Sequence, residues 1–212
     1  MTALALISAP ALAVSFQVAG WDLGETVNIT FSGQTRSFAT AQFHENVDGV
    51  VGTSFCADLS QHIGKATYTN FSAYDPAAAE TQSFAAGPPR RQFAFAATIA
   101  NKWGNDLDWL QQNLGVTQVQ AITGVQAAVW EAVYGNAFSA TSSSMSAGAF
   151  QVFEYVLGFK GYQGYGQTQL YYSRSNQDQL FTPPVPEPSA LFVFGAGALL
   201  VGGSLVRRRQ QA

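Results

Sequence analysis

The carboxyl end of the chain reads TPPVPEPSALFVFGAGALLVGGSLVRRRQQA and divides the sequence into a body and a tail. Four prolines disfavour helix at the start of this stretch, because proline fixes its own φ and restricts the residue before it; they are Pro183, Pro184, Pro186 and Pro188. Residues 190–206 then carry no charge, at the short end of the roughly 17–25 residues that span a bilayer. We expect a C-terminal transmembrane helix there, since a buried helix of the body would normally keep one polar face.

Both ends of the chain indicate export. Arg207, Arg208 and Arg209 follow the apolar span and should hold the C-terminus in the cytoplasm by the positive-inside rule. Residues 1–13 are mostly apolar and end in a small-x-small pattern, which predicts a signal peptide, although no Lys or Arg precedes Arg36. The expected organisation is therefore a signal peptide at 1–13, an outside domain at 14–182 and a tail at 183–212.

The tail resembles a known sorting signal. Pro186-Glu187-Pro188, an apolar span and a terminal arginine cluster look like the PEP-CTERM signal, over residues 185–211. The resemblance implies a Gram-negative bacterium with an exopolysaccharide system, and an exosortase, a membrane cysteine protease, as processing partner. The chain would be anchored in the inner membrane by one helix before processing, and would then be at the cell surface or outside the cell.

Composition excludes several classes of function. The sequence is 47% apolar and 11% charged with a net charge of -3, which argues against disorder and against a nucleic-acid partner. One cysteine and two histidines are too few for a structural zinc site, which needs four such ligands. The sequence has no phosphate-binding glycine loop and no calcium loop. We therefore expect no cofactor and no metal.

Within the body the sequence pattern changes from strands to helices and back. Period-two alternation predicts strands at 26–32, 35–43, 50–56 and 66–74, with a tight turn at Ser32-Gly33. Helical spacing follows at 90–103, 106–115, 117–134 and 144–157, and closing strands are predicted at 168–173 and 178–181. This order predicts a β-rich α+β domain, with antiparallel strands first and three to four helices in the middle.

The helix predicted at 117–134 carries a glutamine where an apolar side chain is expected. Gln126 lies on the same helical stripe as Ile122 and Val129. Thr117 and Gln120 fit a capping box at the start of this helix. A buried amide without partners costs roughly 1–3 kcal/mol on mutational scales, so Gln126 should have a partner or a chemical role.

Cys56, at the end of an early strand, is the candidate partner of Gln126. A thiol beside a side-chain amide in a dry site can displace ammonia and form an internal thioester. Such a bond stores an electrophile, which an amine or hydroxyl of an unknown surface ligand can attack. Exclusion of water would protect the bond until that ligand arrives.

The surroundings of both residues resemble bacterial surface thioester domains. Val125-Gln126-Ala127-Ala128-Val129-Trp130 looks like their T-Q-x-A-[IV]-W motif, with Val125 where the family usually has threonine. Phe55-Cys56-Ala57-Asp58 is similar to their aromatic-Cys-x-Asp segment, and the resemblance covers about residues 50–135. It implies a Cys56–Gln126 thioester supported by four residues: Phe55, Asp58, Val125 and Trp130.

Two other interpretations remain open from the sequence. Cys56 and Gln126 could serve only in packing, which would leave a passive structural protein of the extracellular matrix. Alternatively, Cys56 could be the nucleophile of a cysteine hydrolase with His62 or His44 as its base. No segment around Cys56 resembles a known protease site, so we expect an adhesion or matrix protein without catalytic residues and not an enzyme.

Overall fold

A computed structural model describes residues 13–81 and 92–184 of the chain. The strands in these residues are β1 (Ala13–Phe31), β2 (Gln34–Val47), β3 (Val50–Cys56), β4 (Thr67–Tyr74), β5 (Phe138–Ser139), β6 (Gln169–Tyr172) and β7 (Gln179–Thr182). The α-helices are α1 (Pro76–Ala79), α2 (Phe93–Gly104), α3 (Leu107–Leu114), α4 (Gln118–Tyr134) and α5 (Ala147–Gly158). A short 3-10 helix, Gly135–Ala137, joins α4 to β5.

Two tight turns join the first three strands into an antiparallel meander. Ser32 and Gly33 have φ values of 50° and 78°, and Asp48 and Gly49 have values of 49° and 91°. Positive φ at both central residues is the pattern of a type I′ turn, whose twist matches that of the flanking strands. The long β1 and β2 therefore pair along most of their lengths, from Phe16–Val47 at one end to Phe31–Gln34 at the other.

Six of the strands close into an antiparallel barrel. The neighbours run β2, β3, β7, β6, β4, β1, and β1 also pairs with β2, which completes the ring. Strand β5 lies outside the ring and pairs only with the far end of β1, at Thr30 and Phe31. Closure gives every barrel strand a neighbouring strand on both sides along part of its length.

The interior of the barrel holds stacked aromatic rings and, nearby, several polar side chains. Phe16 lies 4.5 Å from Phe71 and 5.3 Å from Tyr171, measured between ring centroids. Residues two apart on a strand share a face, so Ser54 and Cys56 point the same way on β3. Their partners across β7 are Phe181 and Gln179, and Phe181 in turn contacts the ring of Tyr171. Cys56 therefore faces into the barrel.

Helices cover the outer face of β3 and β7. Phe55 and Leu180 are fully buried on this face, and α2 and α4 pack against it. The carbonyl oxygen of Gly104, at the end of α2, accepts hydrogen bonds from Gln42 Nε2 at 2.6 Å and from Thr53 Oγ1 at 3.2 Å. The helical layer is thereby fixed against two neighbouring strands.

Helix α5 packs closely along α4 at Gly124. A Cβ atom at this position would lie 2.5 Å from the Cβ of Val152 and 2.6 Å from the carbonyl oxygen of Ala149. Real Cβ atoms essentially never approach other atoms so closely, so the spacing of the two helices depends on the absence of a side chain. This contact fixes one face of α4 and leaves the opposite face to meet the barrel.

The structure confirms the α+β fold with a large antiparallel sheet. The expectation of three to four helices was wrong in number, because the described residues form five α-helices, of which α1 has only four residues. The first strand is also longer than predicted, since it begins at Ala13 and its alternation is interrupted by register shifts. Neither barrel closure nor β5 was predicted. The transmembrane helix expected at 190–206 lies outside the described residues, as does the signal peptide apart from Ala13.

We predict that Gly124→Ala lowers the free energy of unfolding by about 1–3 kcal/mol, the usual cost of overpacking. The added methyl group must push α5 away from α4, and this outweighs the better helix propensity of alanine. Gly158→Ala is the matched control, because a Cβ there meets nothing within 4 Å. Urea unfolding measures both variants, and equal stability of the two would contradict close packing at Gly124.

Candidate functional site

Helix α4 places Gln126 in the middle of the domain. The helix begins with the predicted capping box. The main-chain N–H of Gln120 donates to Thr117 Oγ1 at 3.2 Å, and the main-chain N–H of Thr117 donates to Gln120 Oε1 at 3.0 Å. It ends at Gly135, whose φ is positive. Between these ends, every residue from position 121 to 130 is buried, so the Gln126 carboxamide has no access to bulk water.

The Gln126 side chain pairs with the main chain of Cys56 through two hydrogen bonds. The N–H of Cys56 donates to Gln126 Oε1 at 3.0 Å, and Gln126 Nε2 donates to the Cys56 carbonyl oxygen at 2.9 Å. Pairing between β2 and β3 ends at Phe43–Ser54, so Cys56 lies beyond the last strand partner on that side. The carboxamide supplies both the donor and the acceptor that a neighbouring strand would have supplied, and it lies directly beside Cys56.

The thiol of Cys56 is directed towards Gln179. Gln179 Nε2 lies 3.5 Å from Cys56 Sγ, and Gln179 Oε1 accepts a hydrogen bond from Ser54 Oγ at 2.9 Å. Burial raises the pKa of the Cys56 thiol well above its ordinary value; the hydrogen bond from Gln179 opposes this effect, and nearby carboxyl groups add to it. The thiol is therefore held in its protonated form, with its orientation set by a buried amide.

Glu45 lies on the same inward face of the sheet as Ser54 and Cys56, because its partner across β3 is Gly52. It is 1% exposed, and neither of its carboxyl oxygens has a hydrogen-bond partner among the described residues. Burial raises the pKa of Glu45 well above 4.5, while the Ser54 side chain acts in the opposite direction. The neutral carboxylic acid is the favoured form, because an ionised carboxylate at this depth would lack both water and a counter-charge.

The loop that follows Cys56 is fastened to the C-terminal end of α4. Asp58 Oδ1 accepts hydrogen bonds from the N–H of Ser60 at 2.7 Å and from the Tyr134 hydroxyl at 3.3 Å. The N–H of Leu59 donates to the same Tyr134 hydroxyl at 3.1 Å. On the other side, the Ala57 N–H donates to the carbonyl oxygen of Asp178 at 2.8 Å. The main chain that follows Cys56 is thus held by α4 on one side and by the residue before β7 on the other.

The remaining predicted site residues are buried. Phe55 and Val125 are fully buried, and Trp130 is 1% exposed and packs against Phe38. Val125, at the position where threonine was expected from the resemblance, has no hydroxyl to offer. Thr123 does not replace that hydroxyl, because it accepts a hydrogen bond from the N–H of Glu25 and donates to the carbonyl oxygen of Val119.

A cleft of about 530 Å³ leads from the surface to Cys56 and Trp130. It opens where β2 leaves β3, between residues 36–43 of β2 and the loop at 59–63. His62 lines this cleft, whereas His44 does not and instead pairs with Asp22 at 3.1 Å. Of the two histidines weighed from the sequence, only His62 shares a cavity with the thiol.

Several residues of the site were missed by sequence reasoning. Gln179, Ser54 and Glu45 carry no local pattern that separates them from ordinary strand residues, and Tyr134 resembles any aromatic residue near a helix end. A second buried glutamine opposite the single cysteine could have been found only with the strand register in hand. Across the described ranges, no group of His, Cys, Asp and Glu could hold a metal ion.

Comparisons with known proteins give one family motif and one similar solved structure. Residues 184–210 match the PEP-CTERM protein-sorting motif. The chain is similar in structure to the N-terminal thioester domain of surface protein from Clostridium perfringens, with a TM-score of 0.47 and 13% sequence identity, covering 68% of this chain and 89% of that chain. No curated protein matches the chain.

The sorting motif implies an exported protein whose tail is anchored in the membrane before an exosortase processes it. Its characteristic residues lie outside the described part of the chain: Pro186, Glu187, Pro188, Arg207, Arg208 and Arg209. Among the helices that the structure describes, none has the length and apolar character needed to cross a bilayer.

We predict that Gln126→Met destabilises the domain by roughly 2–6 kcal/mol, about 1–3 kcal/mol for each of the two main-chain groups of Cys56 left without a partner. The change is made in a Cys56→Ala background, which keeps the main chain and cannot form a thioester. Gln118→Met in that background is the control, because Gln118 is exposed on the same helix. Urea unfolding that gives equal losses for the two variants would show that the pairing contributes nothing.

We also predict that Glu45→Gln flattens the pH dependence of stability. Since burial raises the pKa of Glu45 in the folded state, its stabilising contribution is fully present below 4.5, the ordinary value, and is lost as pH rises towards the folded pKa. Glutamine stays neutral, so the variant should gain stability relative to wild type at neutral pH. Exposed Glu154→Gln controls for the loss of one charge, and unchanged pH slopes for all three proteins would exclude a titrating Glu45.

Proposed function

We propose that this chain is an exported surface or extracellular-matrix protein that attaches covalently to a partner through an internal thioester between Cys56 and Gln126. One observation carries the proposal: the Gln126 carboxamide is fully buried and is bonded at both of its polar atoms to the residue that bears the only thiol of the sequence. A glutamine with only a structural role could form its hydrogen bonds with any nearby main chain, whereas Gln126 forms both of them with the single cysteine.

In the proposed reaction the Cys56 thiol turns from Gln179 towards the Gln126 carboxamide, which lies beside the main chain of Cys56. Cys56 Sγ would add to the Gln126 Cδ atom, the C–N bond would break, and the thiol proton would leave with the nitrogen as ammonia. Negative charge develops on Gln126 Oε1 during this step, and the N–H of Cys56 already points at that oxygen from 3.0 Å. A donor fixed in place before charge develops is the usual means of stabilising such an intermediate.

Burial would keep the product intact. Cys56 is 4% exposed and Gln126 is 0% exposed, so water has little access to the acyl carbon. A nucleophile that enters the cleft would form a bond to Cδ, break the C–S bond and return its proton to the sulfur. The domain would then be joined to its partner at residue 126, with a free thiol at Cys56.

The tail would determine where this happens. In the proposed sequence of events, residues 190–206 span the inner membrane, the three arginines stay in the cytoplasm, and an exosortase-type protease removes the tail after Pro186-Glu187-Pro188 is recognised. The body would then remain at the cell surface or in the exopolysaccharide matrix. A protein released from its own anchor has a use for a second, covalent means of attachment.

The alternatives fit the site less well. A cysteine hydrolase needs an imidazole base in contact with its thiol, whereas the side chain that hydrogen-bonds Cys56 Sγ is the amide of Gln179. The proposal therefore includes no enzymatic activity. A passive matrix protein would need no cleft leading to its cysteine, although it would need the same packing.

We predict that the purified protein is lighter than its sequence mass by one ammonia. Treatment with methylamine should add one methylamine at residue 126 and release one thiol at Cys56 in equal amount. Intact-mass measurement and thiol titration before and after treatment follow both events. Cys56→Ala and Gln126→Ala should each abolish the deficit and the labelling, whereas Gln118→Ala should keep both. A wild-type protein with its full sequence mass and a free Cys56 would leave the passive structural protein as the better account.

A further inference from the structure

The walls of the cleft that leads to Cys56 contain two buried polar atoms that have no partner among the described residues. One is the indole Nε1 of Trp130, a donor, and the other is Oε1 of Gln61, an acceptor. Trp130 is 1% exposed, so its N–H cannot turn to bulk water. A ligand hydroxyl can accept a hydrogen bond from the Trp130 indole and donate one to Gln61 Oε1, whereas an ammonium group can only donate.

The charges around the cleft also disfavour a cationic ligand. Among the described residues that line it, Arg36 and His62 are the ionisable side chains other than the thiol, and none is a carboxylate. The Nζ atom of Lys65 lies 5.0 Å from the ring of Trp21, which adds a cation beside another cleft wall. Acidic groups outside the lining offer no free negative charge: Asp22 pairs with His44, Asp58 accepts from Ser60, and burial favours the neutral form of Glu45. A lysine ammonium would therefore meet like charges and no counter-charge.

The chemical groups that line the cleft suit a neutral polyol. Trp21, Phe38 and Trp130 present aromatic surface to the cleft, and Gln61, Gln177 and Ser60 present amide and hydroxyl groups. Aromatic faces pack against C–H groups, and the amides hydrogen-bond hydroxyl groups without requiring charge. Both features are combined in a carbohydrate.

His62 supplies the base that a hydroxyl nucleophile needs. A hydroxyl is a weak nucleophile while it keeps its proton, and imidazole is the usual general base near neutral pH. An unprotonated amine already has a free lone pair and needs no such help. The location of His62 in the cleft, with His44 outside it and paired to Asp22, gives the site one available imidazole.

We propose that the cleft selects a neutral hydroxyl-bearing ligand of the carbohydrate class, and that transfer from the thioester gives an ester at residue 126 with His62 as general base. This inference rests on the proposed thioester. The hydroxyl oxygen bonds to Cδ of residue 126 as the C–S bond breaks, and the hydroxyl proton passes through His62 to the sulfur of Cys56. No oxidant or other co-reactant is needed.

The test compares glycerol and methylamine as nucleophiles on the purified wild-type protein. Glycerol should give an adduct heavier than the thioester form by one glycerol, and alkaline hydroxylamine should remove it because it is an ester, whereas neutral hydroxylamine cleaves only the thioester. His62→Ala should slow glycerol transfer by roughly 10²-fold, the lower range for general-base catalysis, and leave the methylamine rate unchanged. His44→Ala is the matched control and should alter neither rate.

The outcomes separate this inference from the proposed function. Methylamine labelling without any glycerol adduct would overturn the hydroxyl preference and leave the thioester in place. Equal glycerol rates in wild type and His62→Ala would remove the base, and equal slowing of both nucleophiles would show that the change only damages the site. A wild-type protein with its full sequence mass would overturn the proposed function and this inference together.

Discussion

The pairing of one side-chain amide with one stretch of main chain connects the two layers of this domain. Strand β3 loses its partner on one side after Ser54, which leaves the N–H and carbonyl of Cys56 without a neighbouring strand. Both groups are buried, so each would cost free energy if unpaired. The Gln126 carboxamide supplies both partners from α4, and α5 packs closely against another face of that helix at Gly124. This pair of hydrogen bonds therefore joins the barrel to the helical layer at the candidate site.

The same arrangement separates the main chain of Cys56 from its thiol. The main chain faces Gln126, and the side chain turns into the barrel towards Gln179, which Ser54 holds in turn. This interior is costly, since it includes a cysteine and a glutamic acid whose pKa values are both raised by burial. A barrel selected for stability alone would be expected to place apolar side chains there. The polar interior is a reason to propose chemistry at Cys56.

Export and the cleft bear on where the proposed thioester would react and with which ligands. The sorting motif implies a tail that holds the chain at the membrane before processing, and the mature body would need another means of staying in place. A stored electrophile, reached through a cleft lined by aromatic, uncharged polar and basic groups, would react with ligands that fit this lining. The charge of the cleft and the position of His62 then bear on which nucleophile can use it.

The sequence by itself determined the features that depend on neighbouring residues. The Pro-Glu-Pro tail, the period-two strands, the capping box at Thr117 and the out-of-place Gln126 are all visible within a few positions, because caps, turns and amphipathic faces are set by local geometry. It also singled out Cys56 by its uniqueness. Only the tertiary structure decided that β1 pairs back onto β2 and β4 to close a barrel, that Gln126 meets the main chain of Cys56, and that Gln179 lies opposite the thiol. Strand register and helix docking join residues far apart in the chain, and the free energy that selects them comes from burying surfaces that no short segment contains.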